Sequence, residues 1–197
     1  MNKKLSRNPR PQLPLVPGGP SLALGRAHEA TGHAAMVFAA MTAGRLSGPV
    51  LWVRPDSSSD ILPPAGFAPF FDPSRLVIVK TSRTNDLLWI AEEALRSGAA
   101  PVTIIEPDAP LTLTPLRRLQ LAAEAGGNQA GGIPPLCLAL PPQAGNAGAV
   151  ESRWVCTPLI SERGQARWRF ECIYAKSTPP IVWETGAIPR RDLAYAA

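Results

Sequence analysis

Residues Asp86–Gly127, DLLWIAEEALRSGAAPVTIIEPDAPLTLTPLRRLQLAAEAGG, decide the fold. Leu87, Ile90, Ala91, Ala94 and Leu95 recur at i, i+3, i+4, i+7 and i+8, an apolar stripe down one face of a helix. Gly98 stands where such a helix stops. Val102, Thr103, Ile104 and Ile105 follow, a β-branched run too short for a helix and apolar on both faces, as a central parallel strand is. Thr114-Pro115 reads as N-cap and first turn of a second helix, with Leu116, Leu119 and Ala123 on its inner face. Helix, strand and helix in this order make a βαβ-type block. Its strand ends at Glu106-Pro107-Asp108, where an α/β protein normally does its chemistry.

Outward from this block the alternation continues. Leu24–Ala30 is a short strand ending at Thr31-Gly32, and His33–Arg45 an Ala-rich helix closed by Gly44. Pro49–Arg54 and Arg75–Lys80 are strands separated by a Pro- and Ser-rich loop over Pro55–Phe71, with Thr84 or Asn85 capping the helix that follows. Pro134–Leu140 is a further apolar strand. The pattern predicts a mostly parallel, doubly wound α/β sheet over 22–140. Residues 141–149 read as a Pro/Gly/Ala linker. In 150–197, Val150–Pro158 and Ala166–Lys176 alternate polar and apolar side chains, a C-terminal β-hairpin turning at Ser161–Gly164, then one short strand over Ile181–Glu184 and a loose basic tail at Arg190 and Arg191. Residues 1–21 are Pro-rich and basic and read as a disordered arm.

Charge separates this arm from the rest. The chain of 197 residues carries a formal +5. Lys3, Lys4, Arg7 and Arg10 supply four of these charges, leaving 16 basic and 15 acidic residues elsewhere. A nearly neutral body does not by charge alone make a nucleic-acid surface. Cys137, Cys156 and Cys172 are odd in number and widely spaced, which fits reduced core thiols rather than disulfides or zinc. The start of the chain lacks the apolar segment of a signal peptide, and the uncharged runs Ala30–Gly44 and Ala125–Val150 are respectively too short and too broken to span a bilayer. A soluble, cytoplasmic protein without membrane contact is expected.

Gly25–Gly32 (GRAHEATG) resembles the strand that enters the phosphate loop of RecA-type recombinases, and Glu93–Ala99 with Val102–Glu106 resembles their Walker B region. Together, GRAHEATG, GPVLWV, LLWIAEEALRSGA and LTPLRRLQLAAEAGG resemble the ImuA family, RecA-related proteins of bacterial mutagenic translesion-synthesis cassettes, also labelled SulA-like. The resemblance spans 22–140 and reaches weakly into the hairpin. A phosphate loop needs a Gly-Lys-Ser/Thr sequence to hold phosphate and Mg²⁺, and this chain has no Gly-Lys pair. A RecA-like core without ATP hydrolysis is therefore expected, with no catalytic residue, cofactor or metal. The resemblance implies an accessory role in SOS mutagenesis, as a docking platform for an ImuB-type polymerase homologue and an error-prone polymerase III alpha-type subunit. RecA is a further candidate partner, and DNA an indirect one. A SulA-like division inhibitor and a degenerate RecA-type ATPase are the alternatives.

Candidate residues divide in two. Glu106, His28, Glu29 and His33 read first as structural: an acid at a strand end, an edge pair bonding nearby backbone, and a helix-start residue. Arg117, Arg118 and Gln120 on one helix face are either solvated or a phosphate- or acid-binding patch. Arg153, Trp154, Arg167, Trp168 and Arg169 mix cations with aromatics on facing strands, suited to stacking on single-stranded bases, to anchoring a partner, or to packing against the domain. Charge reversal at Arg117 and Arg118 is expected to weaken partner binding without unfolding.

Overall fold

The computed structural model describes residues 10–16, 18–129, 133–160 and 166–186. Its centre is an eight-stranded sheet. In chain order the elements are β1 (Gln12–Pro14), β2 (Ser21–Ala23), β3 (Ala27–Thr31), α1 (Ala35–Gly44), β4 (Val50–Pro55), α2 (Pro64–Phe67), β5 (Leu76–Thr81), α3 (Thr84–Ser97), β6 (Val102–Ile105), α4 (Leu113–Gln129), β7 (Leu136–Ala139), β8 (Ser152–Leu159), β9 (Arg167–Ala175) and β10 (Ile181–Gly186). The sheet order is β10-β9-β8-β3-β7-β6-β4-β5. The strands from β8 to β5 run parallel, and β9 and β10 continue antiparallel. The mostly parallel α/β sheet with a C-terminal antiparallel pair is present as the alternation implies.

Two cores lie on opposite faces. Because side chains alternate along a strand, Trp52 and Ile104 point to one face and Val53 and Ile105 to the other. On the second face α3 and α4 cover β6 and β7, burying Leu87, Ala91 and Leu95 from α3 and Leu116, Leu119 and Ala123 from α4. Gly98 caps α3 in the left-handed conformation, its N–H bonding Leu95 O. The first face is covered by α1 and by an aromatic cluster. Phe38 sits 5.2 Å from both Trp154 and Phe170, and Trp52 stacks on Phe67 at 5.3 Å.

Several boundaries differ from the sequence reading. The loop after β4 forms α2 and buries Phe67, Phe70 and Phe71, because three aromatic rings within five residues gain more from the core than from solvent. In the stretch read as a disordered arm, β1 pairs antiparallel with β2 and buries Leu13, Leu15 and Val16 against the first core; residues 1–9 lie outside the described residues. No side chain caps α3, which starts at Thr84 after an extended Arg83. α4 starts at Leu113, so Thr114 and Pro115 fall inside its first turn, where proline costs no internal hydrogen bond. Among the described residues after 150, β8 pairs in parallel with β3 in mid-sheet, and Trp154, Cys156, Trp168 and Phe170 belong to the first core. The turn at Ser161–Gly164 and the tail at Arg190 and Arg191 lie outside the described residues.

Candidate functional site

The place to test first is the C-terminal end of β3, where a RecA-type protein would hold phosphate. Only Gly32, His33 and Ala34 separate β3 from α1. Ala34 N–H donates to the Cys156 carbonyl at 3.1 Å, and Ala35 N–H to the Gly32 carbonyl at 3.0 Å. These amides, which a phosphate loop would aim at its ligand, are held by the sheet and the turn. Gly32 has φ of 92°, and a Cβ there would lie 2.4 Å from the Cys156 carbonyl oxygen. With the loop packed this tightly and no lysine in it, the residues present do not fit a nucleotide triphosphate.

Glu106 is equally engaged. Its Oε1 accepts from Trp52 Nε1 at 2.6 Å, and its Oε2 accepts from Arg54 Nε and Nη2 at 3.1 and 2.9 Å. Arg54 also donates to the carbonyl and carboxylate of Asp60, and that side-chain bond lowers the Asp60 pKa. What remains at this end is a shallow cavity of about 350 Å³ beside His33, Met36, Glu106 and Pro141.

His28 and Glu29 are central and buried, not an edge pair, because β8 takes up the far side of β3. His28 Nε2 lies 2.9 Å from the Ala23 carbonyl, which can only accept, so Nε2 carries the proton. Nδ1 then accepts from the Ser152 hydroxyl at 2.7 Å, and that oxygen accepts from Trp154 Nε1 at 2.7 Å. Burial, opposed by the Ala23 bond and assisted by Arg26 and Lys176, lowers the His28 pKa to about 4. Glu29 pairs with Arg153 Nε at 2.7 Å and accepts Gly145 N–H at 2.7 Å. The segment read as a linker is thereby strapped to the sheet. Burial also raises all three thiols, Cys137 to about 12. Among the described residues no group of three or more His, Cys, Asp or Glu side chains is placed to hold a metal ion, and no helix is long and apolar enough to cross a membrane.

The structure separates the candidate partner-binding residues. Arg153, Trp154 and Trp168 are buried: Arg153 pairs with Glu29, Trp154 packs on Phe38, and Trp168 lies 5.8 Å from Phe70. The hairpin therefore offers no aromatic surface from these two rings. Arg167 and Arg169 are exposed and face Glu184 of β10 at 3.4 and 3.2 Å. On α4, three neighbours have three fates. Gln120 is buried and donates to the Ala149 carbonyl; Arg118 binds the buried Glu92 of α3 at 2.8 and 2.9 Å. Arg117 is exposed and, together with Gln120, lines a cavity of about 700 Å³ on the outer flank of α4.

Sequence reasoning missed the other walls of that cavity. Leu113 and Leu121 flank Arg117 at i−4 and i+4, Glu124 follows one turn further along α4, and Arg10, Arg26, Glu151 and Lys176 close in from elsewhere in the fold. The spacing of Leu113, Arg117 and Leu121 was readable as a second stripe of α4. The contributions of Arg26 and Glu151, just before β3 and β8, and of Lys176, just after β9, were not, since only the topology brings them together.

This chain is similar to Protein ImuA of Caulobacter vibrioides, in two strains, at 30% identity over 85% of this chain and 76% of that protein. No family model matches it. Among solved structures it aligns with SulA from Pseudomonas aeruginosa at a TM-score of 0.46 and 17% identity, over 60% of this chain and 98% of that one.

Proposed function

Because this chain belongs to the ImuA family, we propose that it is a non-catalytic accessory protein of SOS mutagenesis, a docking platform built on a RecA-like α/β core. Its partners in this reading are an ImuB-type polymerase homologue and an error-prone polymerase III alpha-type subunit, with RecA and DNA more remote. The turn after β3 carries the non-catalytic half. The Ala34 amide bonds the sheet and the Ala35 amide the turn, and the carboxylate at the end of β6 is spent on Trp52 and Arg54. Phosphoryl transfer depends on a lysine and a metal-holding hydroxyl, and Gly32-His33-Ala34 supplies neither.

The test is co-purification of the full chain with an ImuB-type polymerase homologue, alongside calorimetry with ATP and Mg²⁺. The expected result is a stable complex and no nucleotide heat. Saturable ATP binding with no complex would overturn the reading. Truncation at residue 141 is unsuitable, because it removes β8 and β9 and with them Trp154, Cys156 and Phe170 of the core. Surface substitutions are the proper tool.

A further inference from the structure

The cavity on the flank of α4 has a chemistry of its own. At about 700 Å³ it falls within the range of ordinary ligand pockets. Among the described residues four basic side chains line it, Arg10, Arg26, Arg117 and Lys176, against two acidic ones, Glu124 and Glu151, a surplus of two positive charges. Both acids are already answered by the buried Arg26, which lies 3.1 Å from Glu124 and 3.7 Å from Glu151. The positive field that remains is set by Arg117 and Arg10. Arg117 is exposed and has no acidic partner among the described residues.

The walls are fixed in advance. The Ala149 carbonyl accepts from both Gln120 Nε2 and Lys176 Nζ, which pins the strap between β7 and β8 to α4 and to the end of β9. Arg26 holds the Gly25 carbonyl at 3.0 Å at the floor. Leu113 and Leu121 stand exposed on either side of Arg117, about 12 Å apart along the helix by its rise per residue. No inward packing explains two large aliphatic side chains there. A ligand that matches this wall carries carboxylates for the arginines and aliphatic side chains for the leucines.

We propose that this cavity docks an acidic segment of a partner protein with leucine-like side chains spaced between its carboxylates. A peptide is favoured over single-stranded nucleic acid because, among the described residues, no aromatic ring lines the cavity to stack a base, and the two glutamates oppose a continuous phosphate chain. The proposal deepens the docking-platform reading and rests on it for the partner's biological relevance.

The test is fluorescence anisotropy of the full chain with a labelled synthetic peptide of aspartates and glutamates interrupted by leucines. Saturable binding that weakens with added salt is expected. Arg117→Glu should weaken it roughly tenfold and Leu121→Ser measurably, whereas Arg169→Glu on the distant hairpin should not. The same peptide with every acid replaced by its amide should fail to compete. Binding that is unchanged in Arg117→Glu, or a complete lack of binding, would overturn the proposal, and so would oligothymidine displacing the peptide from the same residues. Co-purification with the ImuB-type homologue separates the two readings. A complex equally strong with Arg117→Glu sinks the cavity and leaves the platform. Peptide binding without any such complex upholds the cavity and sinks the platform.

Discussion

The two sides of β3 present opposite solutions to the same sheet. At its C-terminal end, where α/β proteins bind ligands, the groups a phosphate site would use are engaged within the fold: the Ala34 and Ala35 amides with Cys156 and Gly32, Glu106 with Trp52 and Arg54. Along the flank of α4, at the start of β3 and β8, charge and aliphatic surface stay open. The difference teaches that a fold can keep its architecture while the usual ligand edge becomes structural.

The contrast breaks most severely at its hinge, the Glu29–Arg153 pair beneath the strap. Both side chains are nearly inaccessible. Arg153→Ala would leave an uncompensated buried carboxylate and is expected to cost about 3–5 kcal/mol in denaturant unfolding. Replacing both residues, Glu29→Leu with Arg153→Met, should recover most of that loss. If the double variant is as unstable as the single one, the strap depends on something other than this pair.

Acid acts next. His28 is neutral when folded, with its pKa lowered from 6.5 to about 4. Between those values the unfolded chain binds more protons than the native one, so stability is full above pH 6.5 and falls as the pH drops toward 4. The shift corresponds to about 3 kcal/mol. A His28→Gln variant should flatten the pH dependence of unfolding in that window. An unchanged slope would assign the acid sensitivity to other groups.

At the closed end, Gly32→Ala places a Cβ against the Cys156 carbonyl in a backbone conformation that side chains avoid. A loss of more than about 2 kcal/mol is expected. A stable Gly32→Ala protein would show that the turn has room to move, and with it room for a ligand.

How much of this was legible in the chain depends on whether the cause is local. The α3–β6–α4 block was readable because its periodicity sits in consecutive residues: Leu87, Ala91 and Leu95 are buried where the stripe puts them, and β6 is buried throughout. The absence of Gly-Lys was equally plain. The site was less readable, since burial of polar residues is decided by distant neighbours. Arg153 and Trp154 look like surface binders in a strand of alternating pattern, but β8 lies between β3 and β9, and the strap and α1 cover its two faces. The period-2 rule told which residues share a face; it could not tell that both faces were covered. Leu13 and Leu15 were hidden by composition, because prolines on either side suggested disorder while two leucines were enough to anchor a strand.

The smallest effects discriminate most finely, and they concern adjacent residues. Arg118 and Arg117 are indistinguishable in sequence as a basic pair on α4. Arg118 neutralises Glu92, a buried carboxylate, from a position that is itself largely exposed. Solvent screening limits the pair, so Arg118→Glu should cost about 1 kcal/mol, chiefly by setting a like charge against Glu92. Arg117 faces the cavity and pairs with no acid among the described residues, so Arg117→Glu should stay within about 0.5 kcal/mol of the parent in stability. Thermal unfolding of the two single variants, run side by side with peptide anisotropy, gives a crossed outcome: stability falls with one and affinity with the other. If both properties fell together in both variants, α4 would present a single electrostatic face, and the division of the molecule into a closed structural end and an open binding flank would fail at its most sensitive point.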